Sequence, residues 1–157
     1  MIHIHSNFIT KDECNDFIKF YEDNKDKVVT IDSDMVYHFD GITLIDNLND
    51  FNFFKKIKLN PLIIDRIRVQ HVSEQTNFIE EFHTDKEPFT FIIFLNDNFS
   101  GGELIYENVV VTPKVGQLLY TSGDEPHYVK RVNEGDRYTL VCFLKENIDF
   151  SRLKKIL

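Results

Sequence analysis

The run Glu81-Phe82-His83-Thr84-Asp85 sets an imidazole and a carboxylate two positions apart. Read as the end of a strand, where side chains alternate between faces, His83 and Asp85 point together and Thr84 points away. An imidazole beside a carboxylate is two-thirds of a 2-His-1-carboxylate facial triad. Such a triad holds non-haem Fe(II) on one face and leaves positions open on the other. The second imidazole has to come from elsewhere in the fold, and His127 is the candidate. Ten residues beyond it stands Arg137, a permanent cation whose planar fork suits a bidentate carboxylate.

Two competitors exist. His38-Phe39-Asp40 is a second His-x-Asp, but it has no His-plus-Arg pair downstream at a useful spacing. His3 and His5 share a strand face, yet no carboxylate stands beside them, and Met1 to Asn7 reads as an edge strand or an ordinary terminus. A His-x-Asp alone says little. His83-Thr84-Asp85 is set apart by the succession of residues C-terminal to it: an apolar strand, a Gly101-Gly102 turn, Pro113, Gly116, another apolar strand, Pro126-His127 and Gly135-Asp136-Arg137.

The elements that must position these residues are mostly strands. Thr10 to Glu13 forms a capping box, with Thr10 as N-cap, Glu13 at N3, and Ile9 and Cys14 placed for a hydrophobic staple. Cys14, Phe17, Ile18 and Tyr21 recur at helical spacing, so a helix runs to about Asn24. Val28 to Ile31 and Met35 to Phe39 read as strands around a turn at Asp32-Ser33-Asp34, and the 25–41 segment suits a lid or substrate-side loop. Ile45, Leu48, Phe51 and Phe54 to Ile57 suggest a second short helix, ended by the Asn60-Pro61 breaker. Ile63 to Val72 alternates, with Ile67, Val69 and His71 on one face and Arg66, Arg68 and Gln70 on the other. Phe89 to Leu95 is a short apolar run that reads as a buried strand. Further strands are expected at Leu104–Tyr106, Val109–Thr112, Gln117–Thr121, Tyr128–Val132 and Tyr138–Leu144, with a short terminal helix from Ile148 to Leu157. Regular short strands between turn signals indicate a sandwich or barrel.

At 157 residues the chain suits one domain with its own core. Its formal charge of −8 disfavours non-specific contact with nucleic acid or anionic lipid. The local basic clusters, Arg66 with Arg68 and the tail Arg152, Lys154 and Lys155, read as solvated faces. Cys14 and Cys142 do not make a disulfide framework and read as small core residues. With no leader-like apolar stretch and no run of spanning length, a soluble, cytoplasmic setting is expected.

From about Ile67 to Lys145 the chain resembles the Fe(II)/2-oxoglutarate-dependent dioxygenases, and within them the prolyl 4-hydroxylase-like branch. The matching pieces are His83-Thr84-Asp85, Phe94-Leu95-Asn96, Ser100-Gly101-Gly102-Glu103-Leu104, Thr112-Pro113-Lys114-Val115-Gly116, Pro126-His127 and Arg137-Tyr138-Thr139. Asn7 to Cys14 is similar to that branch's entry into its first helix. The resemblance implies a mainly β fold: a double-stranded β-helix of the jelly-roll, cupin-like kind. One or two N-terminal helices would pack on it, with helical support over about 8–60, a β-helix core over about 62–145, and one oxygenase domain over 1–157. It implies Fe(II) on His83, Asp85 and His127, with 2-oxoglutarate and O2 as co-substrates and ascorbate as reductant. Arg137 would meet the far carboxylate of 2-oxoglutarate. The family often carries a Tyr on the strand leading into the His-x-Asp, and the counterpart here is His71, implied as a co-substrate contact or else a core histidine. Phe94 replaces the Tyr that often partners the basic residue. Thr139, two residues from Arg137 and on its strand face, can supply the hydroxyl. Phe91, Ile93, Leu118 and Phe143 are expected to keep the pocket dry, while Tyr106 and Tyr120 read as core.

By the same resemblance the substrate is a carbon centre to be hydroxylated, foremost a prolyl residue in a peptide or protein, with a free amino acid or other small metabolite as the alternative. A non-oxidative cupin would more naturally use a His-x-His pair with a nearby Glu and has no need of Arg137. A barrel that has lost catalysis would not keep His83, Asp85, His127 and Arg137 together. No nucleic-acid or membrane partner is expected.

Overall fold

The structure, a computed structural model, describes residues 2–32, 36–37 and 39–148. In chain order the elements begin β1 (Ile2–His5), α1 (Lys11–Asp23), β2 (Val29–Ile31), β3 (Val36–Tyr37), β4 (Phe39–Thr43) and α2 (Asn52–Ile57). Then come β5 (Ile64–Ser73), β6 (Asn77–Phe78), β7 (Phe89–Phe94), β8 (Ser100–Gly101) and β9 (Leu104–Tyr106). The last are β10 (Val110–Val111), β11 (Leu118–Ser122), β12 (His127–Val129), β13 (Val132–Glu134) and β14 (Asp136–Leu144).

Seven strands form one antiparallel sheet in the order β1-β11-β7-β14-β5-β4-β2. The smaller ladders β10-β9-β12, β13-β8 and β3-β6 make up the other side. Phe94 and Leu119 of the large sheet cluster with Leu104, Tyr106 and Val111 of the small one, and Phe39 and Val72 cluster with Phe78 and Val132. Two sheets closing on each other in this way give the expected jelly roll.

The opposite face of the large sheet carries the helices. α1 starts as its sequence dictates. Glu13 N–H donates to Thr10 Oγ1 at 3.1 Å, and Thr10 N–H donates to Glu13 Oε1 at 3.2 Å, so two otherwise orphaned donors are satisfied. Ile9 and Cys14 join the same core, and Phe17 and Tyr21 are buried one and two turns on. α2 is too short to be stable by propensity. Aromatic packing holds it: Phe17 stacks on Phe51 at 4.5 Å and meets Phe53 and Phe54 edge-on at 6.2 and 5.7 Å. Both cysteines are free and buried, and burial raises both thiols, that of Cys14 to about 11. No helix among the described residues is long and apolar enough to cross a membrane.

Pleat parity then decides what faces the interior. β7 and β14 carry apolar residues on both faces because both faces are covered. Phe91, Ile93 and Leu118, expected around the pocket, turn instead to the helices, where they join Phe17 and Leu140. Phe143 alone of that group lines the cavity, with Ile92 and Val141. A continuous apolar strand carries no signal for which face is which, and a one-residue shift exchanges them. Within the 25–41 segment β2 pairs β4, which pairs β5 and so extends the large sheet, and Ile31, Asp32 and Phe39 line the cavity. The Ser33-Asp34 turn, Met35, His38 of the second His-x-Asp and the terminal helix past Ile148 lie outside the described residues.

Phe17 is 1% exposed and joins α1 to the ring cluster around α2. Phe17→Ala is expected to destabilise the protein by about 3–5 kcal/mol in a denaturant titration, the range for removing a buried aromatic. A loss under about 1 kcal/mol would mean that the cluster does not hold α2.

Candidate metal centre

The chain at residues 81–85 is not a strand. His83 alone forms an isolated antiparallel bridge, and its partner is His127. His83 N–H donates to His127 O at 3.0 Å, and His127 N–H donates to His83 O at 2.9 Å. This reciprocal pair sets the imidazoles side by side, ring centroids 4.6 Å apart. Asp85 is fixed next: its N–H donates to Gly123 O at 2.8 Å, and Gly123 N–H donates to Pro88 O at 2.7 Å. Gly123 is required by space, since a Cβ there would lie 1.9 Å from the Glu87 carbonyl oxygen.

The side chains converge. Ligand atoms of His83, Asp85 and His127 all lie within 4.8 Å of one another, and His127 Nε2 is 3.7 Å from Asp85 Oδ1. His127 Nδ1 is 2.8 Å from the Glu125 carbonyl oxygen, and His83 Nδ1 is 3.4 Å from that of Glu81. A carbonyl only accepts, so each Nδ1 carries the proton and each Nε2 offers a lone pair. Burial, and after it His127, push the His83 pKa down, which favours the neutral ring that a metal requires. Thr90 Oγ1 donates to Asp85 Oδ2 at 3.2 Å, leaving Oδ1 toward His127. Two imidazoles and a carboxylate, each oriented by a second group, fit a divalent transition metal.

Further inside lies Arg137, 5% exposed. Its Nε donates to Gly102 O at 3.1 Å, and its guanidinium carbon stands 5.4 Å from the Phe94 ring centre. Burial pulls its pKa down to about 10, partly offset by Glu103, so it remains charged at neutral pH. No carboxylate lies at ion-pair distance from it among the described residues. Gly102 makes room for it: with φ +72°, an added Cβ would sit 2.8 Å from Arg137 Cδ. Thr139 Oγ1 is buried near it on the same strand face, without a hydrogen-bond partner. A buried guanidinium beside a hydroxyl without a hydrogen-bond partner is chemically able to receive an anion.

One cavity of about 410 Å³ is lined by the triad, Arg137 and Thr139. Arg66 and Arg68, expected as a solvated face, line it too, because their face of β5 is the face turned inward. His71 takes the opposite face and does not reach the cavity. Its Nδ1 is 3.3 Å from Tyr21 Oη, its Nε2 is 2.8 Å from Asp136 Oδ1, and its ring stacks on Tyr138 at 4.7 Å. The expected co-substrate contact is therefore not made: parity along β5 sends His71 to the helix side with Ile67 and Val69. Reasoning from the sequence also missed Thr90 and Gly123, whereas Tyr106, expected as core, is buried with its ring 5.5 Å from that of His127. Of the two missed, only the glycine at a turn carried any signal, because Thr90 acts through contacts made by the fold.

A model of the 2OG-Fe(II) oxygenase superfamily matches residues 66–145. Among curated proteins no match was found. The chain is similar in fold to a Pseudomonas putida prolyl-4-hydroxylase, at TM-score 0.64 and 13% identity, covering 93% of both chains. It is likewise similar to a Trichoplax adhaerens prolyl hydroxylase in complex with a hypoxia inducible factor peptide fragment, at TM-score 0.62 and 15% identity, covering 98% of this chain and 86% of the other. It spans only 45% of a 2OG-Fe(II) oxygenase family oxidoreductase from Burkholderia pseudomallei, matching over 54% of its own length at 24% identity and TM-score 0.42, too partial to bear on the fold. With half of its length matched by the family model, the chain belongs to the 2OG-Fe(II) oxygenase superfamily, dioxygenases that work with Fe(II), 2-oxoglutarate and O2, and it has the fold of the prolyl hydroxylases.

Proposed function

We propose that His83, Asp85 and His127 hold Fe(II), that Arg137 and Thr139 receive the far carboxylate of 2-oxoglutarate, and that the enzyme hydroxylates a prolyl residue in a peptide or protein. The observation that carries this reading is one cavity holding both a three-donor cluster and a buried guanidinium without a carboxylate partner. The fit is chemical as well as spatial: the donors are two imidazoles and a carboxylate, and the anion receptor is a charged fork beside a free hydroxyl. The prolyl substrate is supported by what the Pseudomonas and Trichoplax neighbours are named for. A free amino acid or small metabolite is the alternative on the same site.

When bound, iron and 2-oxoglutarate supply the oxidising power, with succinate and CO2 as by-products. The chain's own residues position and shield. The His83–His127 bridge aims two lone pairs at one point, and Thr90 holds one carboxylate oxygen so that the other faces the same point. Ile92, Leu104, Val141 and Phe143 line the cavity and exclude water from it. In this reading residues 1–157 form one domain in a reducing, cytoplasmic setting, with ascorbate as external reductant; the two free, buried cysteines suit it.

Anaerobic addition of Fe(II) and 2-oxoglutarate is expected to give a weak visible charge-transfer band, and O2 to release succinate. Asp85→Ala and His127→Ala should lose both. A wild type that binds metal tightly but is indifferent to 2-oxoglutarate would overturn the reading. Arg137→Ala should raise the 2-oxoglutarate requirement roughly 10- to 100-fold, the worth of a charged hydrogen-bonded pair, while metal affinity measured by titration holds. Gly102→Ala, which crowds the Arg137 stem, should reproduce much of that effect; unchanged 2-oxoglutarate binding in both would remove Arg137 from the site.

A further inference from the structure

Three arginines face the cavity, and each stands differently toward a counter-charge. Arg137 is the receptor for the co-substrate's far carboxylate. Arg66 is already paired, with Asp65 at 3.2 Å and with Glu87, and it covers the Phe143 ring at 4.4 Å. Arg68 has no carboxylate at ion-pair distance among the described residues. It is nonetheless held firmly. With the Gln70 amide turned to suit, Gln70 Oε1 accepts from Arg68 Nε at 2.8 Å and from Nη2 at 3.1 Å. The rings of Phe39 and Phe143 stand 5.3 and 5.8 Å from the guanidinium carbon. Burial, and then the neighbouring Arg66, pull the Arg68 pKa down to about 10, with Glu87 only partly restoring it. A desolvated, oriented guanidinium with no carboxylate at ion-pair distance among the described residues is a cost that an anionic ligand removes. It stands out more in a chain whose formal charge is −8.

Register places Arg68 relative to the triad. Arg68 is opposite Val141, which is opposite Ile92, so its Cα lies two strands from β7, about 10 Å away. Arg137 belongs to a different row, opposite Val72, four residues along β14 from Val141. The cavity therefore has two cationic sites on two strands. We propose that Arg68 is the specificity residue for the substrate, its fork receiving a substrate carboxylate while the carbon to be oxidised lies at the metal. This rests on the oxygenase reading and narrows its substrate class to molecules bearing a carboxylate within reach of the target carbon. The carboxylate can come from the free α-carboxylate of an amino acid or from an acidic side chain flanking a prolyl residue in a peptide. Both present the same planar group to the same fork.

Matched probes separate these sources: L-proline against L-prolinamide, and capped prolyl peptides with Glu against Gln on either side of the target. Binding is measured by calorimetry, without O2, to protein loaded with Mn(II) and 2-oxoglutarate, and hydroxylation is measured by mass spectrometry with Fe(II) and O2. The wild type is expected to bind the anionic member of at least one pair about ten-fold tighter, as a charge-assisted bidentate contact allows. Arg68→Gln should bring that ratio to about one, and Arg68→Lys, which keeps the charge but not the fork, should retain part of it. That split separates loss of charge from general damage to the fold. Free proline showing the preference identifies a small-molecule substrate, and a Glu peptide showing it identifies an acidic peptide. The proposal is overturned if wild type treats every pair alike, if the preference survives Arg68→Gln, or if Arg68→Gln weakens 2-oxoglutarate itself as Arg137→Ala does. Succinate release without any probe tests the oxygenase reading separately. Succinate with no charge preference removes only the Arg68 assignment, and a charge preference lost in Arg68→Gln upholds it even where no succinate forms.

Discussion

Two backbone hydrogen bonds, exchanged between His83 and His127, are what the site depends on. Each is worth on the order of 1 kcal/mol net, so their importance is positional rather than energetic. They join a non-strand segment to β12, and β12 pairs with β9, where His127 is opposite Tyr106. One imidazole is thereby tied to the small sheet. Asp85 is tied to the large one through Thr90 on β7. The three donors meet where the two sheets close, and the carbonyls of Glu81 and Glu125 fix which nitrogen each ring presents. A single slip of the bridge would part the imidazoles without disturbing either sheet.

Strand β14 carries the rest of the interior by alternation alone. Arg137, Thr139, Val141 and Phe143 line the cavity, whereas Tyr138, Leu140, Cys142 and Leu144 pack toward the helices. The inward set runs from charged through hydroxyl to apolar along that one strand. Burying Arg137 is costly, and the local structure lowers that cost in small ways: a carbonyl from Gly102, the face of Phe94, and a glycine where any side chain would collide.

Legibility in the sequence obeys the same physics. The capping box at Thr10, the helix behind it, the strand series and the convergence of His83, Asp85 and His127 were legible, because turn residues and paired polar groups mark their own places. Facing was legible only where a strand alternates. β5 alternates, and its two faces separated as expected, yet which face turns to the cavity was not written in it: Arg66 and Arg68 went inward and His71 outward. β7 is apolar apart from Thr90, so Phe91 and Ile93 gave little sign that they belong to the helix side. Parity was settled by which face of the large sheet the helices cover, a property of the whole chain. Thr90 was invisible for a related reason, since it acts on Asp85 only once the loops are in place.

The cavity's cations show how burial and partner choice divide labour among like charges. Arg66 is the most exposed of the three and is already neutralised by Asp65 and Glu87, so little attraction remains for a ligand. Arg137 is sealed, and only a ligand that itself enters the cavity can reach it. Arg68 is intermediate: partly desolvated, pinned by Gln70 and two rings, and without a carboxylate at ion-pair distance among the described residues. Pinning matters because an arginine free to swing would lose side-chain entropy on binding, whereas one already held has spent it during folding. The same pinning limits what can bind, because a fixed fork accepts a planar anion from one direction only. Charge placed this way selects a ligand's orientation as well as its sign, and a metal-centred reaction that must reach one carbon among several requires that selection.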